Sequence, residues 1–249
     1  MPSSAFGTFS RKREKEKHGL LPTMRQSSIR TFTPARDRAP PLADGEVHLW
    51  LLVLDGNPTP REVTAAAQSV LVTRLMRYAD SHLPPEILRG EHGKPYAPSL
   101  PGLDFNLSHA KNHVLLAFAR NQPLGVDLER IDRRLALEDL ARRFFAPEEA
   151  DALDRVPADE RLPAFLRLWT CKEAVLKAIG AGLSFGLERV VFGLDPGGAP
   201  AGLIGLAPEA GAPPDWSVSL LEPAPGFVGA TAWKGPPRTI RAFLADADA

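Results

Sequence analysis

Three carboxylates and one ammonium carry the most chemical information in this chain. Asp127 and Glu129 stand two residues apart in "GVDLER", 125–130. The segment reads as a strand, where residues i and i+2 share one face. Two carboxylates on one buried face repel each other and are expensive to desolvate without a counter-charge. Glu173 and Lys177 stand at i and i+4 in "LWTCKEAVLKAIGAGL", 168–183, on one helix face with Trp169. A solvated Glu–Lys pair accounts for them by itself. If Glu173 instead joins Asp127 and Glu129, the set consists of hard oxygens without His or Cys. Such a set suits Mg²⁺, or Mn²⁺, rather than zinc. Magnesium shares its coordination shell with substrate phosphates. Arg74, Lys94, His109 and Lys177 are then candidate phosphate partners.

The elements that must position these groups follow from pattern. "EVHLWLLVLD", 46–55, is a β-branched and aromatic strand ended by Gly56-Asn57. "TPRE", 59–62, supplies an N-cap threonine, a proline at the first helical position and a glutamate that closes a capping box. The helix it starts runs to about Ala79, with Val63, Ala67, Val70, Leu71, Leu75 and Tyr78 as its apolar stripe. Arg74 falls inside that stripe, so it snorkels out, meets a carboxylate of the fold, or meets a ligand phosphate. "HGKPYAP", 92–98, is a turn-rich loop with one lysine, Lys94. "LDFNLSHAKNHVLLAFA", 103–119, reads as two strands around a turn at 110–112, and Ser108 and His109 close the first. Another strand covers 124–131. Two short helices broken at Pro147 follow, then a helix over 163–183 ended by Gly180 and Gly182. Strand-like pieces at 189–194, 216–222 and 227–233 alternate with loops. The Pro-rich stretch 196–214 reads as a long surface connection. Strand, helices and strand pair recur in each part, a faint duplication with a joint near 120–124.

The 249 residues, 44% apolar, allow one large domain or two small ones with a real core. No apolar run approaches a membrane span, and the start lacks the apolar region of a secretory signal. A single cysteine, Cys171, excludes a disulfide framework and a Cys-rich zinc site. Together these lead to the expectation of a cytoplasmic, membrane-free protein. The net charge of zero hides a basic head: residues 1–45 hold nine Lys/Arg against four acids. That head could be a nucleic-acid arm. Its Ser, Thr and Pro content and few apolar residues favour a disordered extension instead.

In order and spacing, "GKPYAP", "FNLSHA", "GVDLERI", "RFFAPEEADAL" and "LWTCKEAVLKAIGAGL" closely resemble the 4′-phosphopantetheinyl transferases of the larger, surfactin-synthetase-activating (Sfp) type. The resemblance covers roughly 46–235 and is strong from 92 to 183. It implies an α+β fold of two similar subdomains about a pseudo-twofold axis, here 46–123 and 124–249, with the active site between them. It implies transfer of the phosphopantetheine arm of coenzyme A to a serine of an apo acyl or peptidyl carrier protein, releasing adenosine 3′,5′-bisphosphate. By motif matching, Asp127, Glu129 and Glu173 become the Mg²⁺ ligands and Glu173 the candidate base. Lys177 would neutralise the leaving phosphate, Ser108 and His109 would touch the coenzyme A phosphates, and Asp127 would also belong to the coenzyme A-binding set. Lys94 and Pro95 would border the adenine, and Arg74 would face the 3′-phosphate. The internal pair makes a monomer the natural state, and the larger type points toward carriers of secondary metabolism. A non-catalytic carrier-protein or coenzyme A-binding module is the alternative; retention of all three carboxylates and Lys177 argues for catalysis. Two departures stand out. Ala146 replaces the usual Ser or Thr before "PEE", and only Arg61 represents the basic residues expected near the first helix.

Overall fold

The structure, a computed structural model, describes residues 24–34, 40–132 and 136–246. In chain order, β1 (Arg25–Ile29) and β2 (Thr33–Pro34) precede β3 (Glu46–Val53) and helix α1 (Pro60–Ala79). A short pair, β4 (Leu88–Arg89) and β5 (Pro95–Tyr96), leads to β6 (Leu103–Ala110), β7 (His113–Arg120) and β8 (Leu124–Arg130). Helices α2 (Leu137–Phe144), α3 (Pro147–Asp154) and α4 (Ala158–Ile179) follow. The chain closes with β9 (Val190–Leu194), β10 (Pro200–Leu206), β11 (Trp216–Leu221), β12 (Phe227–Lys234) and β13 (Thr239–Ala245). The class is α+β, as expected.

Local chemistry accounts for the helix ends. Thr59 Oγ1 accepts from Glu62 N at 3.3 Å and Glu62 Oε2 accepts from Thr59 N at 2.6 Å, a complete capping box. At α3 only half of that box is possible, because Ala146 has no side-chain acceptor. Glu149 Oε2 accepts from Ala146 N at 3.0 Å, and Pro147 opens the helix. Gly180 ends α4 in the left-handed region at φ 80°.

Two sheets, ordered β2-β13-β3-β7-β6 and β1-β11-β12-β8, form the body. Alternation along the strands sets the layers. Trp50, Leu116 and Phe118 face α1 with Val70, Leu71 and Leu75. Val47, Leu49 and Leu115 face the opposite sheet, where Val126, Leu128 and Trp233 meet them. Ala230 and Ala232 of the second sheet face Ala174 and Val175 of α4. The edge strands β6 and β8 come together where the two sheets join: Asn106 Oδ1 accepts from Val126 N at 3.0 Å, in the role of a ladder partner.

Several sequence expectations need correction. Within the head 1–45, residues 25–29 and 33–34 are strands, and residues 1–23 and 35–39 lie outside the described set. β1 adds in parallel to β11, and β13, not expected at all, adds in parallel to β3. Each terminal strand therefore completes the sheet built mainly from the opposite end of the chain. The stretch 196–214 is not a bare connection, since β10 pairs antiparallel with β9 and buries Leu203. Helix α4 starts at Ala158, five residues before Pro163, which lies inside it. Its first turn is held by Arg161 Nη2, which donates to Asp154 O at 3.1 Å.

Candidate active site

Strand β8 carries its carboxylates toward α4. Leu124, Val126 and Leu128 point into the core between the sheets, so Gly125, Asp127 and Glu129 take the other face. Gly125 is where α4 crosses. A Cβ there would stand 2.0 Å from Ala174 O and 2.9 Å from Lys177 Cβ. Only glycine lets the helix backbone approach this closely, and that approach sets Lys177 against Asp127.

Asp127 is buried and half-satisfied. Its Oδ1 accepts from Ser108 Oγ at 2.8 Å and from Lys177 Nζ at 2.8 Å. Lys177 Nζ also donates to Val126 O at 3.1 Å. The other oxygen, Asp127 Oδ2, is buried with no hydrogen-bond partner among the described residues. One turn before Lys177, Glu173 has its carboxyl pushed up to about 7. Burial is the main cause and the charges of Asp127 and Glu129 add to it, while Lys177 opposes them. The three carboxylates are thus near enough to repel. Among the described residues they do not form a closed three-ligand metal group.

Above Asp127 a cleft of about 470 Å³ is lined by Lys94, Pro95, Ser108, His109, Glu173 and Lys177, among others. Six of the residues singled out from sequence therefore share one cavity, with Asp127 beside it through Ser108 and Lys177. Lys94 Nζ donates to Leu124 O at 3.0 Å and Ala178 O at 3.2 Å, tying its loop to the start of β8 and the end of α4. Burial pulls its ammonium down to about 8. Pro95 also lines a smaller recess of about 230 Å³ with Tyr96 and Phe105.

Arg74 goes elsewhere. Its guanidinium carbon lies 3.9 Å above the Trp50 ring, in the core under α1, and it does not line the cleft. Its Nε and Nη1 have no hydrogen-bond partner among the described residues, and burial lowers its pKa. The stripe that contains Arg74 packs on the first sheet over β3, whereas the cleft opens at the β6 edge.

Three features escaped the sequence reading. Arg89, at the end of β4, and His92, in the β4–β5 loop, line the cleft, and Arg89 Nη1 donates to Gly93 O at 2.9 Å. The run "LRGEHGKP", with three basic residues in six positions, was the available signal. Asn106 stitches the two sheets together, inside the same motif as Ser108. Lys172, adjacent to Glu173, is fully buried against Glu149 at 2.5 Å. No local pattern marks that pair, because its partners are distant in sequence.

Comparison with known proteins identifies the family. A family model for the 4′-phosphopantetheinyl transferase superfamily matches residues 123–222, the segment that holds β8 and α4. The 4′-phosphopantetheinyl transferase HetI of Nostoc sp. is 34% identical over 224 residues, 78% of this chain and 90% of that protein. The 4′-phosphopantetheinyl transferase Sfp of Bacillus subtilis is 41% identical over 98 residues, 39% of this chain and 42% of that one. The 4′-phosphopantetheinyl transferase AcpT of Escherichia coli K12 is 41% identical over 97 residues, 39% of this chain and 49% of that one. The chain belongs to the 4′-phosphopantetheinyl transferase superfamily and is an enzyme of that kind.

Proposed function

We propose that the enzyme moves 4′-phosphopantetheine from coenzyme A to a serine of an apo acyl or peptidyl carrier protein, releasing adenosine 3′,5′-bisphosphate. The observation that carries this reading is the cleft itself, where Ser108, His109, Glu173 and Lys177 converge beside the buried Asp127. The carrier serine needs a base as its Oγ attacks the β-phosphorus, and the cleft-lining carboxylate of Glu173 is the candidate. The Oγ–P bond forms, the bond from that phosphorus to the bridging oxygen breaks, and the serine proton passes to Glu173. Lys177 places positive charge where the leaving phosphate develops negative charge. His109, Ser108 and the basic loop residues Arg89 and His92 line the path the phosphates would follow. The recess beside Pro95 and Tyr96 suits a planar base. Arg74, buried on Trp50, has no direct part in this reading.

Asp127, Glu129 and Glu173 suit a hard divalent cation, Mg²⁺ or Mn²⁺. The unpartnered Asp127 Oδ2 and the oxygen-only donor set support that fit. Such an ion, when bound, supplies charge neutralisation for the phosphoryl oxygens. We also infer a pseudo-twofold arrangement. The orders β3-β7-β6 and β8-β12-β11 are the same path: strand, helix, hairpin, with the hairpin's second strand beside the first strand. A monomer suffices for this site. Among the described residues no helix is long and apolar enough to cross a membrane.

The test is incubation with coenzyme A, Mg²⁺ and a panel of apo carriers, followed by intact-mass measurement. A phosphopantetheine-sized gain that EDTA abolishes is expected. Coenzyme A binding without any gain would point to the non-catalytic module instead.

A further inference from the structure

The β4–β5 loop holds a cation that the transfer reaction, as derived above, does not use. Lys94 lines the cleft, but its ammonium is engaged by two backbone carbonyls, Leu124 O at 3.0 Å and Ala178 O at 3.2 Å. Each carbonyl lacks an ordinary partner. β8 is the edge strand of its sheet, and side chains stand in for a further strand along it. Asn106 Oδ1 accepts from Val126 N, Lys177 Nζ donates to Val126 O at 3.1 Å, and Lys94 Nζ serves Leu124 O. Ala178 O lies in the last turn of α4, where carbonyls find no helical donor and a cation suits the dipole. The Lys94 stem is seated on the same helix end, since a Cβ on Gly180 would lie 3.7 Å from Lys94 Cδ. Asp104, whose charge favours the ammonium, is itself engaged by Gln122 N at 2.8 Å.

The two carbonyls flank the closest approach of α4 to β8. Gly125 follows Leu124, and a Cβ on it would stand 2.5 Å from Ala178 N. Lys177 precedes Ala178 and donates to Asp127 Oδ1 at 2.8 Å. A slip of α4 along β8 would therefore carry Lys177 off Asp127. We propose that Lys94 is a positioning residue for the transfer reaction: its ammonium clamps the end of α4 to β8 and so holds Lys177 against Asp127, rather than contacting coenzyme A. The inference rests on the proposed reaction, in which Lys177 and Asp127 act.

The test uses the full chain, with carrier modification read by intact mass and adenosine 3′,5′-bisphosphate binding read by calorimetry. Lys94→Met keeps the stem and removes the donors. Turnover at saturating coenzyme A should fall by about tenfold to a hundredfold, as small misplacements of reacting groups cost. Affinity for the bisphosphate should stay within about threefold, because the ammonium serves carbonyls and not phosphate. In a Lys177→Met background the same change should cost nothing further, since the group it positions is gone. Lys94→Gln keeps N–H donors without the charge; it covers a Lys94→Met that folds poorly, and it should also retain bisphosphate affinity. A loss of bisphosphate affinity of about tenfold in either variant makes Lys94 a phosphate ligand and overturns the proposal. Unchanged turnover in Lys94→Met, or full additivity with Lys177→Met, does the same. A wild type that binds the bisphosphate yet modifies no carrier would instead sink the transfer reading, and this inference with it.

Discussion

Lys172 and Glu173 are neighbours on α4 and occupy opposite circumstances. Lys172 is fully buried, and its ammonium donates to Glu149 Oε2 at 2.5 Å, Leu187 O at 3.0 Å and Val190 O at 2.5 Å. Glu149 is as well served, accepting also from Ala146 N and from Phe192 N at 2.7 Å. Burial pushes Glu149 up and Lys172 down, and their mutual attraction opposes both shifts. One residue on, the Asp127–Glu173 cluster keeps an unpartnered carboxylate oxygen and a carboxyl raised to about 7 at an open cleft. The first cluster has no capacity left and fastens α3, α4 and β9 together. The second keeps an acceptor in reserve beside the cleft. The two clusters differ in satisfaction rather than burial: one is fully hydrogen-bonded, and the other keeps an unpaired acceptor beside the cleft.

The sharpest way to break this comparison is to remove the reserve. Asp127→Ala and Glu173→Ala should each lower carrier modification by on the order of 10²–10⁴-fold while the fold stands, because carboxylates gathered on one face repel. Intact-mass rates and melting curves measured together decide it; near-normal turnover at saturating Mg²⁺ sinks the assignment. Lys172→Met should act in the opposite sense, costing about 3–5 kcal/mol in denaturant unfolding by stranding a buried Glu149 carboxylate. A loss below about 1 kcal/mol would mean that the pair behaves like a surface salt bridge.

Gly125→Ala tests the contact that joins the two clusters to the strand. The added Cβ must push α4 off β8, costing about 1–3 kcal/mol and slowing transfer with it. A stable, fully active variant would show that α4 has room to move. Trp169 should matter less than its size implies. It is half-buried among Phe144, Phe145 and Phe165, so Trp169→Ala should cost about 2 kcal/mol rather than unfold the chain. Complete unfolding would show that Trp169 is a core position despite its partial exposure.

The most modest effect is on pH. Glu173 has a folded pKa of about 7 against an ordinary 4.5, so the folded state holds a proton that the unfolded state has already released between those values. Metal-free stability should therefore be fullest below about pH 4.5 and fall as pH rises through about 7. Glu173→Gln should remove that slope, and Mg²⁺ should flatten it in the wild type. A melting temperature that rises between pH 5 and 7 in the wild type relative to Glu173→Gln would reverse the sign and refute the burial of Glu173.

Much of the site was legible because its chemistry is written in short segments. The i, i+2 step of Asp127 and Glu129, the i, i+4 step of Glu173 and Lys177, and the loop around Lys94 each follow from local periodicity. So do the capping box of α1 and the boundaries of β6, β7 and β8. Arg74 shows the limit of that reading. Its place in an apolar stripe was visible, but stripe membership does not say whether the partner is a ligand or an aromatic ring of the core. The partner proved to be Trp50.

Local pattern therefore fixed part of the frame: the capping box of α1, the strands β6, β7 and β8, and the chemistry their faces could hold. Tertiary structure alone decided the rest. It placed β1 and β13 in parallel beside strands nearly the whole chain away, closed β6 against β8 through Asn106, and paired Lys172 with Glu149. It also brought Ser108 and Lys177 onto one oxygen of Asp127 and left the other without a partner. The physical reason is range. Backbone propensity and side-chain period act over a few residues, whereas pairing, burial and the counting of hydrogen-bond partners depend on segments that meet only after the chain has folded.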